Sequence, residues 1–117
     1  DAFIIVSPEY NHGYPAVLKN ALDWLYLEFE KKPFGLVGVS NGTVGGARMI
    51  ENLRPIIENY GAVAMRETVI LGPIQKYFDD SGKLLEPGLD KRIEGLLKSL
   101  TWWAEALKNR RYADSHK

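Results

Sequence analysis

The sequence predicts an α/β fold built around a parallel β-sheet. Three short runs rich in β-branched or aromatic residues, at residues 2–6, 34–39 and about 65–71, begin roughly 30 residues apart. The first two runs are almost continuously apolar, as is typical of parallel strands that are covered on both faces. The segments between the runs repeat apolar residues at helical spacing, which indicates strands and helices in alternation. We therefore expect about three strands and three to four helices.

The first two helices follow from apolar spacing and from residues that begin or end helices. The first is expected to begin near Pro15, because proline is tolerated at the first helical position, and to end at residues 31–33. Its predicted buried face is Val17, Leu18, Ala21, Leu22 and Leu25. The second is expected over residues 46–59, with a kink at Pro55 and Gly61 as its C-terminal cap. Its predicted buried face is Met49, Ile50, Leu53, Ile56 and Ile57.

The last third of the sequence predicts turns and one further helix. Turns are expected at residues 79–82 and 87–88, where Asp, Ser, Pro and Gly cluster. The buried stripe predicted for the following helix is Leu89, Ile93, Leu96, Leu97, Leu100, Trp103 and Leu107. Trp102 falls off this stripe and is expected to be exposed. The polar tail, residues 109–117, is expected to be frayed.

Composition argues against several classes of protein. The chain has 117 residues, and its 15 basic and 15 acidic side chains give a formal net charge of zero, with no basic excess for nucleic acid. No apolar run approaches the roughly 20 residues of a membrane-spanning helix, so no membrane partner is expected either. The absence of Cys excludes a thiol nucleophile and agrees with a cytoplasmic location. His12 and His116 alone cannot build a His-based metal site, and we expect none.

Two loops are the expected functional region, because ligands of open parallel sheets bind at the carboxyl ends of the strands. The first loop covers residues 7–14, and the second covers residues 40–46, where Gly42, Gly45 and Gly46 precede a helix. Glycine lets the backbone approach a ligand, and a helix N-terminus favours an electron-rich or anionic partner. The spacing matches neither the Walker loop nor the dinucleotide fingerprint, so a glycine-rich turn without a ligand is an equal alternative.

Motifs along the whole chain resemble those of the NADPH-dependent FMN reductase family, a flavodoxin-like family that includes quinone, chromate and azo-dye reductases. The first loop carries Pro-Glu-Tyr-Asn at 8–11, followed by Leu-Lys-Asn-Ala-x-Asp-Trp at 18–24. The second loop reads Gly-x-x-Gly-Gly-Ala-Arg at 42–48, and Phe-Asp at 78–79 with Gly82 precedes the last helix. The resemblance implies a flavodoxin-like three-layer sandwich.

Only the C-terminal part of the family pattern is matched. The family's two N-terminal strands, and the phosphate-binding loop after the first of them, have no counterpart here. We therefore expect residues 1–117 to form a single flavodoxin-like domain that is incomplete at its N-terminus. On this view the first run of the sequence forms an unpaired, apolar edge strand.

The resemblance also implies a function and a site. FMN is the expected cofactor, and hydride passes from NADPH or NADH to flavin N5 and on to quinone-like or other small acceptors. The expected cofactor-binding residues are Pro8, Glu9, Tyr10, Asn11, Ser40, Asn41, Gly42, Gly45 and Gly46. No side-chain acid is required, although His12 is a candidate proton donor, with a solvated loop histidine as the alternative. The family resemblance further implies a homodimer or homotetramer.

Several alternatives stay open at this point. Tyr10 either contacts the flavin or closes its loop, Asn11 is otherwise a turn residue, and Glu9 is otherwise a surface carboxylate or an ion-pair partner. Arg48 pairs either with a cofactor phosphate or with a surface carboxylate. Lys19, Asn20 and Asp23 are expected on the helix surface or at a subunit contact. The alternative functions are an FMN-binding electron carrier and an inactive apo fragment that self-associates.

Overall fold

The computed structural model describes residues 1–115, which form a parallel three-stranded sheet with helices on both faces. The strands lie side by side in chain order: β1 (Phe3–Pro8), β2 (Pro33–Val39) and β3 (Val63–Leu71). The helices are α1 (Ala16–Asp23), α2 (Ala47–Asn59) and α3 (Leu89–Ser115), with one 3-10 turn at Ile74–Lys76. The predicted α/β class, the element order and the three-layer arrangement are confirmed. Within residues 1–115, no helix has the length and apolar character that crossing a membrane requires.

The strand register brings the two predicted loops to one edge of the sheet. Pro8 at the end of β1 pairs with Val39 at the end of β2, and Val39 pairs with Leu71 at the end of β3. The segments that leave these strands therefore begin next to one another, as the rule for parallel sheets requires.

Two hydrophobic cores hold the layers together, one on each face of the sheet. The core beneath α1 and α2 contains Leu22, Phe29, Phe34, Leu36, Met49, Ile50, Leu53, Ile57 and Tyr60. The core beneath α3 contains Val69, Leu71, Leu89 and Leu96. Residues of β2 alternate between the two, with Phe34 and Leu36 in the first and Val37 and Val39 against the second. β2 is thus buried on both faces, as its apolar run predicts.

The helix α1 is shorter than predicted. It ends at Asp23, and turns rather than helix connect it to β2. Phe29 is buried against Phe3 and Phe34, with ring centroids 5.1 and 5.4 Å away. The Lys31 N–H donates to the Gly61 carbonyl at 2.9 Å. These long-range contacts take residues 24–32 out of the helix. Of the predicted buried face, Val17, Ala21 and Leu25 are exposed.

The prediction that β1 is buried on both faces is wrong. Its residues alternate, so that Phe3 and Ile5 pack on the first core while Ile4 and Val6 are 45% and 64% exposed. β1 lies at an edge of the sheet, and α3 packs mainly over β2 and β3. The alternation is therefore a consequence of position in the sheet, which an apolar run does not reveal.

The predicted boundaries of α2 are confirmed, and α3 extends further than expected. α2 continues through Pro55 to Asn59, and Gly61 follows it with a left-handed φ of 67°. α3 has 27 residues, about 40 Å at 1.5 Å per residue, so it is longer than the strands that it covers. Its Leu96 and Leu100 are buried, whereas Ile93, Leu97 and Trp103 of the predicted stripe are exposed.

The polar tail is helical to Ser115 instead of frayed. Arg111 holds it, because its guanidinium donates to the Lys31 carbonyl at 2.6 Å and to the Asp1 carboxylate at 2.7 Å. Residues 116 and 117 of the predicted tail, including His116, lie outside the described residues. Trp102 is 64% exposed, as its place off the stripe predicts.

Candidate functional site

A cleft of about 540 Å³ opens between the two predicted loops at the carboxyl edge of the sheet. Its lining residues are Pro8, Glu9, Tyr10, Val39, Ser40, Asn41, Gly42, Thr43, Val44 and Arg48. Six of the nine residues predicted to bind a cofactor are among them, and Asn11, Gly45 and Gly46 are not. The cleft therefore brings together the parts of both loops that lie nearest to the strand ends.

The first loop presents Tyr10 at the mouth of the cleft. Tyr10 and Gly13 exchange two backbone hydrogen bonds, of 2.9 and 3.0 Å, across a tight turn. Asn11 and His12 occupy the turn with φ values of 48° and 71°, the left-handed pair that a type I′ turn requires. The turn fixes the backbone of Tyr10, while its side chain remains mostly exposed, at 62% for the residue.

Asn11 and His12 lie away from the cleft. Asn11 is exposed in the turn, the role that its alternative interpretation predicts. The His12 carbonyl accepts a hydrogen bond of 2.7 Å from the Asn52 side chain of α2. His12 borders a separate shallow depression beside α2, shared with Arg48, Glu51 and Asn52.

The second loop is anchored through the backbone N–H and the backbone carbonyl of Ser40. The Ser40 N–H donates to the Leu71 carbonyl, its carbonyl accepts from the Ile74 N–H, and both distances are 3.0 Å. The Ser40 hydroxyl donates to the Gly42 carbonyl at 2.9 Å, and the Asn41 side-chain oxygen accepts from Gln75 at 3.0 Å. These contacts hold the loop in one shape along the cleft.

The same loop offers unused hydrogen-bond donors. The backbone N–H groups of Asn41, Gly42, Thr43 and Val44 donate to no acceptor within residues 1–115. All four residues line the cleft. A row of free backbone donors is suited to the electron-rich edge of a ligand, because each donor is already oriented by the loop.

Gly45 and Gly46 shape the loop from behind the cleft. Both have left-handed φ values, of 65° and 86°. A Cβ built on Gly46 would lie 2.8 Å from the Gly38 Cα and 2.8 Å from the Val39 nitrogen. The Gly45 N–H already donates to the Gly42 carbonyl at 3.2 Å. A Cβ on Gly45 would instead meet Ile70, Leu71 and Gly72, at the end of β3. The two glycines are thus packing residues, which let the loop lie directly on the ends of β2 and β3.

Glu9 and Arg48 form an ion pair that joins the two loops. Glu9 Oε1 accepts from Arg48 Nη1 at 3.0 Å, and Oε2 accepts from the Arg48 backbone N–H at 3.2 Å. The Glu9 side chain is 8% exposed and that of Arg48 is 46% exposed. Glu9 is therefore neither a free surface carboxylate nor a ligand that reaches into the cleft through its carboxylate.

Glu9 also provides the cap that α2 lacks locally. The helix begins after Gly46 with no side-chain cap of its own and no acidic residue in its first turn. Partial burial alone would raise the pKa of Glu9, but the hydrogen bond from Arg48, those from the N–H groups of Met49 and Arg48, and the Arg48 charge lower it overall. The Glu9 carboxylate thus lies at the positive end of α2.

Sequence reasoning missed part of the cleft. Val39, Thr43 and Val44 line it, and Gln75 orients Asn41 from beyond β3. The end of the second strand and the residues between the loop glycines could have suggested the first three. Gln75 had no local signal, because its contact depends on the register of β3. Within residues 1–115, no three His, Asp or Glu side chains are placed to hold a metal ion.

Two charged side chains of α1, those of Lys19 and Asp23, pair with each other, and that of Asp23 also pairs with Tyr60. The Lys19 ammonium contacts both Asp23 carboxylate oxygens at 2.7 Å, and the Tyr60 hydroxyl donates to the same carboxylate at 3.1 Å. Tyr60 is buried at the end of α2. Asp23 therefore joins α1 to the end of α2 and pairs with Lys19 on its own helix, whereas Asn20 is exposed.

Comparison with known proteins identifies a matching family model and several curated relatives. The family model for NADPH-dependent FMN reductase matches residues 1–76. An NAD(P)H-dependent FMN reductase of Pseudomonas aeruginosa is 32% identical over 92% of this chain and 61% of its own length. A quinone reductase of Escherichia coli K12 is 31% identical, with the same two coverages of 92% and 61%. The chain thus spans about three fifths of the length of these curated relatives.

A solved structure shares the fold. The flavoenzyme FerB of Paracoccus denitrificans, an NAD(P)H:acceptor oxidoreductase, superposes with a TM-score of 0.63 at 24% identity, over 92% of this chain and 61% of FerB. This similarity confirms the flavodoxin-like arrangement of the described strands and helices.

Proposed function

The chain belongs to the NADPH-dependent FMN reductase family, and on that premise we propose that its cleft binds the ring of FMN in an NAD(P)H-dependent oxidoreductase. The acceptors that we propose are quinone-like or other small molecules. The E. coli relative, which is named a quinone reductase, supports this acceptor class. The cysteine-free composition supports a cytoplasmic location.

The observation that carries the proposal is the pairing of an exposed aromatic side chain with a row of free donors. Tyr10 lines the cleft from the first loop, and residues 41–44, whose N–H groups have no acceptor within residues 1–115, line it from the second. A flavin ring has an extended π-face and a pyrimidine edge that accepts hydrogen bonds, so the two features fit two different parts of the same molecule. Pro8, Glu9, Ser40 and Gly42 contribute the remaining surface.

The chemistry divides between cofactor and protein. FMN held in the cleft would supply the redox chemistry, the transfer of hydride from NADPH or NADH and of electrons to the acceptor. The protein orients the ring, and the backbone donors of residues 41–44 favour negative charge at its pyrimidine edge. Because these donors are fixed by the contacts of Ser40 and Asn41, they need no reorganisation when charge develops.

We further propose that the protein forms a homodimer or homotetramer. An exposed apolar cluster on and after α1 supports this proposal, since Val17, Trp24 and Leu27 are 77%, 81% and 74% exposed. A group of large apolar side chains on the surface is typical of a protein contact. Sedimentation of the wild type and of a Trp24→Ser, Leu27→Ser variant tests it, and an unchanged mass for the variant would place the contact elsewhere.

The ring site is tested with FMN and with lumiflavin, a flavin that carries no phosphate. We expect lumiflavin and FMN to bind with saturable quenching of flavin fluorescence, and Tyr10→Ala to weaken lumiflavin binding about 10-fold, as removal of a stacking aromatic does. Tyr112→Ala, which removes an exposed tyrosine from α3, is the matched control. Equal effects of the two substitutions, or no saturable quenching, would contradict the ring site.

The reductase activity is tested separately. The FMN-loaded protein should oxidise NADPH in the presence of a benzoquinone without any second protein. Retention of flavin without NADPH oxidation would leave the ring site standing and would reject the reductase in favour of an electron carrier.

A further inference from the structure

The side chain and the backbone of Glu9 both bridge the two sides of the cleft. Its N–H donates to the Val39 carbonyl at 3.1 Å, at the end of β2. Its carboxylate accepts from the side chain and the backbone N–H of Arg48, at the start of α2. The first loop is thereby attached to the second strand and to the second helix by one residue.

We propose that Glu9 is a positioning residue of the cleft, which holds the first loop on the N-terminus of α2 and fixes the Arg48 guanidinium in the cleft wall. The inference rests on the proposed function, because the cleft that Glu9 positions is the one assigned to the flavin ring. Glu9 acts through Tyr10, its neighbour in the chain, and through Arg48, and its carboxylate does not itself contact the ligand.

Burial and charge support a positioning role. The Glu9 side chain is 8% exposed, so its carboxylate is withdrawn from the solvent that fills the cleft. Each of its two oxygens accepts a hydrogen bond from Arg48, so the carboxylate is held at the start of α2. Glu9 and Arg48 are the charged residues that line the cleft, and they neutralise each other. The cleft therefore presents no net charge, as a neutral ring requires.

Loss of the Glu9 carboxylate has a local consequence. Without it, the first turn of α2 loses its cap and Arg48 is free to turn into the cleft. The loop of residues 8–13 keeps the backbone hydrogen bond of Glu9 to β2 and the hydrogen bond from Asn52 to the His12 carbonyl. A purely stabilising helix cap would lower the stability of the fold but leave ring affinity unchanged. A positioning residue lowers ring affinity by more than its effect on stability accounts for.

The experiment compares Glu9→Gln with Asp23→Asn. Asp23 is the control, because its carboxylate also pairs with a cation, Lys19 of the same helix, and joins α1 to the end of α2 through the Tyr60 hydroxyl, but does not line the cleft. Thermal unfolding, lumiflavin affinity and amide hydrogen exchange are measured for each. We expect Glu9→Gln to weaken lumiflavin binding about 10-fold and to speed exchange in residues 8–13 and at Arg48, while Asp23→Asn changes neither.

Each outcome separates the inference from the function on which it rests. If the wild type binds no lumiflavin, the proposed function fails, and the exchange measurement still decides whether Glu9 orders the loop. Unchanged exchange in residues 8–13, or a loss of affinity no larger than that of Asp23→Asn, overturns the positioning role. If Glu9→Gln does not fold, Arg48→Met replaces it, since it removes the side-chain ion pair and keeps the backbone cap. The same 10-fold loss of affinity is then expected, and wild-type affinity overturns the proposal.

Discussion

Replacing Gly46 with alanine tests the packing on which the second loop depends. Gly46 precedes α2 with a φ of 86°, a conformation that L side chains rarely adopt. A Cβ at this position would lie 2.8 Å from the Gly38 Cα, 2.8 Å from the Val39 nitrogen and 2.9 Å from the Gly38 carbonyl carbon. All three atoms belong to the backbone of β2, so no side-chain rotation can relieve the overlap.

The expected cost has two parts. The left-handed backbone costs an L-residue roughly 1–2 kcal/mol. Overpacking against a rigid neighbour typically adds about 1–3 kcal/mol. We therefore expect Gly46→Ala to lower the free energy of unfolding by about 3 kcal/mol, or roughly 12 °C in Tm for a domain of this size. Because the strain is relieved by moving the loop off β2, lumiflavin affinity should fall as well.

Gly82→Ala is the control that measures the cost of the left-handed backbone without any overlap. Gly82 also has a left-handed φ, of 80°, but nothing lies within 4 Å of the Cβ that alanine would add. It should cost only about 1 kcal/mol, roughly 4 °C, and leave flavin affinity unchanged. Urea and thermal unfolding followed by circular dichroism give both values. If Gly46→Ala costs no more than Gly82→Ala, the loop does not pack on β2 as described, and the reasoning is refuted.

Three further substitutions probe other parts of the molecule. Gly95→Ala should raise the free energy of unfolding by about 0.5–1 kcal/mol in urea melts, because Gly95 lies within α3 and its Cβ would meet no atom within 4 Å; a loss of stability would contradict this. Leu36→Ala should cost about 2–5 kcal/mol in the same assay, since Leu36 is fully buried between the sheet and α2, and a cost below 1 kcal/mol would show that this core can collapse. The hydrogen bond from Lys19 lowers the pKa of Asp23. The ionised carboxylate therefore stabilises the fold above its unfolded pKa of about 3.9, and this stabilisation is lost as the pH falls through the lower pKa of the folded state. Asp23→Asn should therefore flatten the decline of stability between about pH 5 and 2, and an unchanged acid limb would rule out this contribution.

Local patterns in the sequence were sufficient for most of the fold. The apolar run of β2 predicts a strand buried on both faces, and Phe34 and Leu36 do pack on one core while Val37 packs on the other. The spacing of Met49, Leu53 and their neighbours predicts α2 to within one residue. The position of the cleft also follows from sequence, because the carboxyl ends of successive parallel strands meet at one edge whatever the side chains are.

The individual site residues were predicted less completely. The motif at residues 8–11 identifies the first loop, but only Pro8, Glu9 and Tyr10 reach the cleft. Asn11 is diverted by the type I′ turn, whose two left-handed residues turn the chain away after Tyr10. Gly45 and Gly46 have the residue type expected of a ligand-contacting loop, yet the same lack of a side chain serves close contacts with the end of β3 and with β2.

The sequence by itself determined the α/β class, the order of the elements and the edge at which the cleft lies, because these depend on periodicity and on the geometry common to parallel sheets. Only the tertiary structure decided where α1 ends, which face of β1 is exposed and which residue the Glu9 carboxylate pairs with. Each of these depends on contacts with distant parts of the chain. α1 ends early because Phe29 packs into the core, and Ile4 is exposed because α3 does not cover β1. Glu9 pairs with a helix that begins 38 residues later. Contacts across such separations produce no periodic pattern in the sequence, because they are properties of the folded arrangement and not of the local sequence.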